Sequence, residues 1–286
     1  MTGEFEPEGL GDLRGISVHL RQEVRRLGPK GPRLRIRVGR GGLDETARLF
    51  SGETDIAVVT PAAAVRLLHQ FGDLQGLVAL GVVARRGGLI AAADAGLAHD
   101  TVSELVAATS RITVATPADD GVSLVGFAVR RALRIAGVDA QVTYVHDEQP
   151  ATCCERFASG EADVVIHDLL STPDWTAASE ARPVKYLAWD ARVLHGFASQ
   201  GWPTRVVPAG RLPLLDADLP TLDCSDFAVL CREDLDDDVA RVTARFLART
   251  YRSAGTAATA PSPLPLHPAA ARGHADLVAD ATLGSR

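Results

Sequence analysis

Residues 111–137, RITVATPADDGVSLVGFAVRRALRIAG, decide the fold class. Ile112, Val114 and Ala115 make a short apolar run, and residues 117–121 supply turn formers. From Ser123 onward, Leu124, Phe127, Ala128, Arg131 and Leu133 recur at helical spacing. The stretch reads as strand, tight loop, helix. A helix that begins where a strand ends presents unpaired backbone N–H groups and a partial positive charge. That combination suits a carboxylate, sulfate or phosphate. The competing reading is one more βα unit whose loop only turns the chain.

Working outward, the same alternation continues. Upstream, residues 16–27 read as an amphipathic helix, and Leu34, Ile36 and Val38 alternate with arginines as a strand with one wet face. A helix then runs to Phe50, Gly52-Glu53-Thr54-Asp55 turns the chain into a buried strand over 56–59, and Thr60-Pro61 opens another helix. Strands are expected over 77–84 and 89–93, and a helix from the capping sequence at Asp100-Thr101. Downstream, strands are expected over 142–145, 164–167, 184–188, 205–207 and 224–229. Helices are expected over 148–159 and 236–251, with a short one within 267–283. Alternating strands and helices imply parallel or mixed sheets covered on both faces, with ligands beyond the carboxyl ends of strands.

An internal echo accompanies this alternation. Residues 50–59, FSGETDIAVV, match residues 157–166, FASGEADVVI. Twice a helix ends at a glycine, turns on an acid and feeds an apolar strand. Two related α/β lobes produce such an echo, and so does chance similarity of short connections.

Composition narrows the function classes. The chain has 286 residues, room for two lobes of ordinary size. A net charge of −6 without a basic run speaks against nucleic acid as a partner. No stretch approaches the ~20 apolar residues of a membrane span, so no membrane insertion is expected. The opening MTGEFEPEGLGDLRG lacks the basic and apolar regions of a secretory signal. As given, the sequence reads as cytoplasmic; with a leader removed it would be periplasmic or extracellular. Cys153, Cys154, Cys224 and Cys231 show no metal spacing and are expected to be reduced, buried thiols. No metal and no cofactor are expected.

Taken in order, five landmarks resemble the TAXI family of solute receptors, the extracytoplasmic binding subunits of TRAP transporters. They are residues 52–57 (GETDIA), the loop and helix of 123–137, residues 160–163 (GEAD), residues 207–210 (VPAG) and residues 265–270 (PLHPAA). The resemblance implies a two-lobed periplasmic-binding-protein-like fold of type II, each lobe a mixed, mostly parallel sheet flanked by helices. The expected lobes are residues 1–93 with 202–286, and residues 94–201, with a ligand in the cleft between them. The family opens with a strand and a tyrosine-bearing, glycine-rich loop; here the chain starts where that strand should be ending and has no tyrosine before Tyr144. The Gly-Ser-Gly-Thr turn of the family's second lobe keeps only Ser123. The lobe 1 face without its usual first strand is a candidate surface for a protein partner.

The function implied is binding of a small anionic or zwitterionic, carboxylate-bearing metabolite. Candidate ligand-binding residues are Thr60, Thr116, Ser123, His167, Asp168, Trp175 and Trp202. Ser123 either contributes to an anion site or simply opens the helix. Thr60 either meets ligand or caps its helix. The tryptophans either wall a cleft or pack in the core. The alternative is a cytosolic enzyme on the same fold, catalysing elimination or intramolecular displacement on a small anionic metabolite. Asp119 and Asp120 would then supply the base and His167 an acid or base. Against that, both carboxylates are stabilised by the helix dipole without any catalytic role.

Overall fold

The computed structural model describes residues 20–22, 24–25, 28, 35, 42–70, 72–83, 87–109, 111–119, 123–147, 149–169, 172–224, 226–252 and 262–283. Asp120 and, apart from Arg35, the expected strand over 34–38 lie outside them. Of the expected helix over 16–27, residues 20–22 and 24–25 are described and helical, with Leu20 and Val24 buried. The chain divides into two compact units, Met1–Arg85 with Asp226–Arg286, and Arg86–Ser225.

In the first unit, α1 (Gly42–Phe50) leads into β1 (Ile56–Val59), α2 (Ala62–Gln70) and β2 (Leu77–Val83). The chain returns as β10 (Phe227–Arg232), followed by α8 (Asp237–Arg252) and α9 (Pro268–Leu283). The sheet order is β1-β10-β2, with β10 antiparallel to both neighbours. β2 is buried along its whole length, which explains its unbroken apolar run, LVALGVV. Its free edge is covered by the segment before α9, through Ala79 N–H to Pro265 O and His267 N–H to Ala79 O, both at 2.9 Å.

The second unit opens with β3 (Leu89–Asp94) and α3 (Val102–Ala108), then β4 (Ile112–Thr116) and α4 (Leu124–Ala136). After a 3₁₀ turn come β5 (Val142–His146), α5 (Pro150–Ala158), β6 (Val164–Asp168), α6 (Thr172–Ala181), β7 (Val184–Leu187) and α7 (Ala191–Ala198). The antiparallel pair β8 (Thr204–Val207) and β9 (Leu219–Leu222) completes it. The main sheet has the order β5-β4-β6-β3-β7. β4 runs parallel to β5 and β6, while β3 is antiparallel to β6 and β7. Leu89–Asp94 therefore pairs entirely within this unit. α3 starts on a capping box: Thr101 accepts the Glu104 N–H, and the Glu104 side chain reaches back to Thr101. α4 stops at Gly137, whose φ of 78° is the left-handed cap that glycine adopts without strain.

The core on one face of this sheet joins Ile90 and Ala92 of β3, Ala115 of β4 and Val165 of β6 to Cys153, Cys154 and Phe157 of α5 and Trp175 of α6. None of the buried residues of α4 belongs to that cluster. Strand alternation then puts Thr116 and Asp168 on the α4 side of the sheet and His167 on the α5 side.

The echo seen in the sequence has a structural counterpart, displaced by one residue. Gly52 (φ 73°) and Gly160 (φ 81°) both end their helices in the left-handed region. Aligning them pairs Arg48 with Arg156 and Leu49, rather than Phe50, with Phe157. Ser51 and Ser159 each bond back to the arginine carbonyl at 3.1 Å, and the arginines pair with Glu53 and Glu161. A second arginine clamps each helix end. Arg232 donates to Leu49 O and Thr54 O at 3.1 and 3.2 Å, and Arg182 to Phe157 O and Ala162 O at 3.0 and 3.1 Å. A cation on orphaned helix carbonyls complements the negative end of the dipole. Both strands fed by these caps, β1 and β6, pair antiparallel with a strand from elsewhere in the chain.

Candidate functional site: the carboxyl edge of β4 and β6

In chain order the parallel strands of the second unit are β4, β5 and β6, yet β5 lies on one side of β4 and β6 on the other. The connections leaving the carboxyl ends of β4 and β6 run to helices on opposite faces, α4 and α6, which is the switch point where open α/β sheets bind ligands. Register pairs Val114 with Val164 and Ala115 with Val165. Continuing that register sets Thr116 level with Ile166, so His167 and Asp168 reach one and two residues beyond it on a strand ~4.8 Å away.

All three residues are buried. Thr116 Oγ1, His167 Nε2 and Asp168 Oδ2 are sealed from solvent with no hydrogen-bond partner among the described residues. Leaving such a group unpaired costs ~1–3 kcal/mol, more for a charged one. His167 Nδ1 meets Asp168 Oδ1 and accepts the Asp168 N–H at 2.9 Å. No lysine or arginine pairs with Asp168 among the described residues. Buried polar atoms without a protein partner are completed by water, an ion or a ligand; Trp175 Nε1, Tyr186 Oη and Thr243 Oγ1 stand likewise elsewhere in the chain.

Above this edge, the first turn of α4 is fixed by two features. Ser123 is the N-cap, its hydroxyl accepting the Gly126 N–H at 3.1 Å. Gly126 lies so close to the preceding loop that a Cβ there would stand 2.0 Å from Ala118 O and 2.8 Å from Pro117 O. The missing side chain lets the loop leaving β4 fold onto the helix. Ser123 thus serves as the cap, which leaves its O–H proton and the amides of the first turn for a ligand.

The other candidates fall elsewhere. The Asp119 carboxylate lies 3.8 Å from Arg134, in the last turn of α4. Trp175 is sealed in the core beneath α5 and α6, against Tyr186 at 6.3 Å between ring centroids. Trp202 is equally buried, donates to Asp223 O at 2.9 Å and meets Phe197 edge-on at 5.2 Å. Trp202 has the surroundings of a core residue, whereas Trp175, equally buried, has an Nε1 without a hydrogen-bond partner among the described residues. In the first unit, half-buried Thr60 follows β1 and precedes Pro61 and α2. Aligned at the two glycine caps, it is the counterpart of Asp168.

Sequence reasoning passed over Gly126 and also Gly88. A Cβ on Gly88 would stand 2.2 Å from Thr221 Cγ2 and 3.1 Å from Leu222 O. The next residue, Leu89, pairs with Asp168, and its carbonyl accepts Thr221 Oγ1 at 2.5 Å and Trp189 Nε1 at 2.9 Å. Gly88 O accepts the Leu169 N–H at 2.9 Å. The end of β6 is thereby tied to the segment where the chain enters the second unit. Burial first, then the Asp168 and Asp223 carboxylates, push the Cys224 thiol up.

Among the described residues, no three His, Cys, Asp or Glu side chains stand together as metal ligands would, and no helix is long and apolar enough to cross a membrane. No family model and no curated protein sequence matches this chain. Solved structures do. XAC2383 from Xanthomonas citri bound to ATP is similar at 13% identity and a TM-score of 0.51, over 93% of this chain and 91% of that one. A TctC solute binding protein from Polaromonas gives 13% and 0.51, over 91% and 90%. The periplasmic aliphatic sulphonate binding protein SsuA from Escherichia coli gives 16% and 0.50, over 94% and 79%. At these identities the likeness is one of fold, and the fold is the mixed α/β one of two-lobed periplasmic binding proteins.

Proposed function

We propose that this chain binds a small anionic, carboxylate-bearing metabolite at the carboxyl edge of β4 and β6, in the manner of a TAXI-type solute receptor. The carrying observation is the buried, unpartnered polar atoms of Thr116 and Asp168 on the α4 side of the sheet edge, with His167 ending the same strand on the other face. The helix amides, the Ser123 hydroxyl and the Thr116 hydroxyl are donors for an anion. Two proteins of this fold support the choice of charge: one is an aliphatic sulphonate binding protein and another is bound to ATP, both anionic compounds. The ordered motifs shared with TAXI receptors favour a carboxylate among anions.

Isothermal titration of the full chain against succinate, 2-oxoglutarate, L-glutamate and L-malate tests the reading. Saturable binding of at least one, weakened by Thr116→Val, is expected. A folded sample that binds none of them, or binds with unchanged affinity in Thr116→Val, overturns it.

A further inference from the structure

β4 and β5 are parallel and joined through α4, so α4 runs antiparallel to both. Register sets His146, the last residue of β5, beside Thr116 on the same face of the sheet. The contacts of α4 confirm which face that is. Arg130 stands 4.3 Å over the Tyr144 ring, and Tyr144 stacks on His146 with ring centroids 5.6 Å apart and planes 9° from parallel. One turn back along α4 from Arg130 are residues 126–127, and two residues on from Tyr144 is His146; both steps are ~5–7 Å in the same direction. His146 is therefore level with the first turn of α4, on the face that holds the buried, unpartnered Thr116 Oγ1.

One nitrogen of this ring is committed. Nδ1 lies 3.3 Å from Thr116 O, which also accepts the Asp147 N–H at 3.2 Å. A carbonyl oxygen only accepts, and its two lone pairs serve both donors, so Nδ1 carries a hydrogen. Nε2 is then the nitrogen that gains or loses a proton, on an exposed residue. The charged groups around the ring are largely occupied. Arg130 and Arg134 of α4 pair with Asp139 of the 3₁₀ turn, and Arg134 also with Asp119, which follows β4. Tyr144 donates to Asp139, and Asp147 accepts the Gln149 N–H at 2.9 Å. Asp168 shares the face but lies beyond β4, at the end of β6. We infer that His146 is the titrating residue of the anion site. The ligand's carboxylate, held by the first-turn amides, draws a proton from solvent onto Nε2, and Nε2–H donates back to it in a charge-assisted bond. No bond of the ligand is made or broken. This rests on the binding reading above and deepens it: affinity for the carboxylate rises as pH falls, through the one side chain that changes charge between about pH 5 and 8.

Two measurements on the full chain decide the matter. Long-range ¹H–¹⁵N correlation on ¹⁵N-histidine protein at pH 8.0, with the His146 signals assigned by their loss in His146→Gln, reads the ring without any ligand. A protonated Nδ1 and a bare Nε2 are expected; a bare Nδ1 with the proton on Nε2 overturns the inference. Titration with 2-oxoglutarate, whose carboxylates stay ionised throughout, is then compared at pH 8.0 and pH 6.0. Binding roughly fivefold tighter at pH 6.0 is expected, the gain typical of a partly exposed ion pair. Heats measured in two buffers of different ionisation enthalpy should show proton uptake on binding. Both effects should vanish in His146→Gln of unchanged circular dichroism, whereas Thr116→Val weakens binding at both pH values. Equal affinity at the two pH values, or a pH dependence that survives in His146→Gln, overturns the role of His146 and leaves the binding reading intact. No binding at either pH counts against the binding reading, and the inference built on it falls too.

Discussion

Replacing Gly126 by alanine puts the geometry above β4 to a direct test. In a helix interior, alanine is favoured over glycine by ~1 kcal/mol. Here the added carbon would stand 2.0 Å from Ala118 O and 2.5 Å from Ala118 C, both backbone atoms that cannot swing aside as a side chain would. Relief requires the loop leaving β4 to move by more than ~1 Å, at the ~1–3 kcal/mol typical of overpacking. It also strains the Ser123 cap, worth ~1 kcal/mol. The balance is a loss of about 1–2 kcal/mol, read as a lower urea midpoint at unchanged slope. Gly196 of α7 is the internal control. There the nearest atoms to a new Cβ are Ile135 Cγ2 and Cδ1 at 3.2 and 3.3 Å, side-chain atoms that need give by only a few tenths of an ångström rather than backbone. Gly196→Ala should be neutral or stabilising. A Gly126→Ala protein as stable as wild type would refute the argument that the loop rests on the helix through the absent side chain.

Three further outcomes follow from the structure. Gly52→Ala and Gly160→Ala should destabilise by similar amounts, ~1–2 kcal/mol, because both need a positive φ and neither has a close neighbour to add a clash; midpoints differing several-fold would show that the two caps are not equivalent. Burial first, with Asp174 beside Cys154 and against the opposing Arg232 beside Cys231, pushes both thiols up to about 12. Native protein at pH 8 should therefore react slowly with a disulfide reagent and expose four thiols on unfolding. Because their folded values are raised, these thiols stabilise fully below ~8.5 and lose that contribution as pH climbs toward 12. The Gly96 amide, followed by Arg182, holds the Asp94 carboxyl below its ordinary value. Its contribution is present above ~3.9 and lost as pH falls below that. Being partly exposed, it is worth at most ~1 kcal/mol, and Asp94→Asn should flatten the acid limb of stability by no more.

The backbone of the fold was largely legible in the sequence. The strand, loop and helix from Ile112 to Gly137 follow from apolar period and from Ser123 and Gly137 as caps, signals that act within a few residues. The duplicated helix end was legible as words, but its register was off by one, because Leu49 and Phe157 are equated by contacts with Arg232 and Arg182 and not by residue type. α6 was missed because TPDWTAASEA has little apolar period, its helix depending on the burial of Trp175 and Ala178. Strand order was equally out of reach: β3 lies between β6 and β7 through pairings made across much of the chain. At the site, Thr116, Ser123, His167 and Asp168 could be named from position alone. What distinguishes them, buried atoms without partners, is a tertiary fact. Gly126 and Gly88 matter through neighbours that no local pattern announces.

The most direct measurement is an amide chemical-shift map of the full chain during titration with small carboxylates. The account predicts saturable shifts centred on Thr116, the first turn of α4 and residues 166–169, reduced in Asp168→Asn and in Gly126→Ala. A saturating ligand whose shifts leave the ends of β4 and β6 untouched would contradict it.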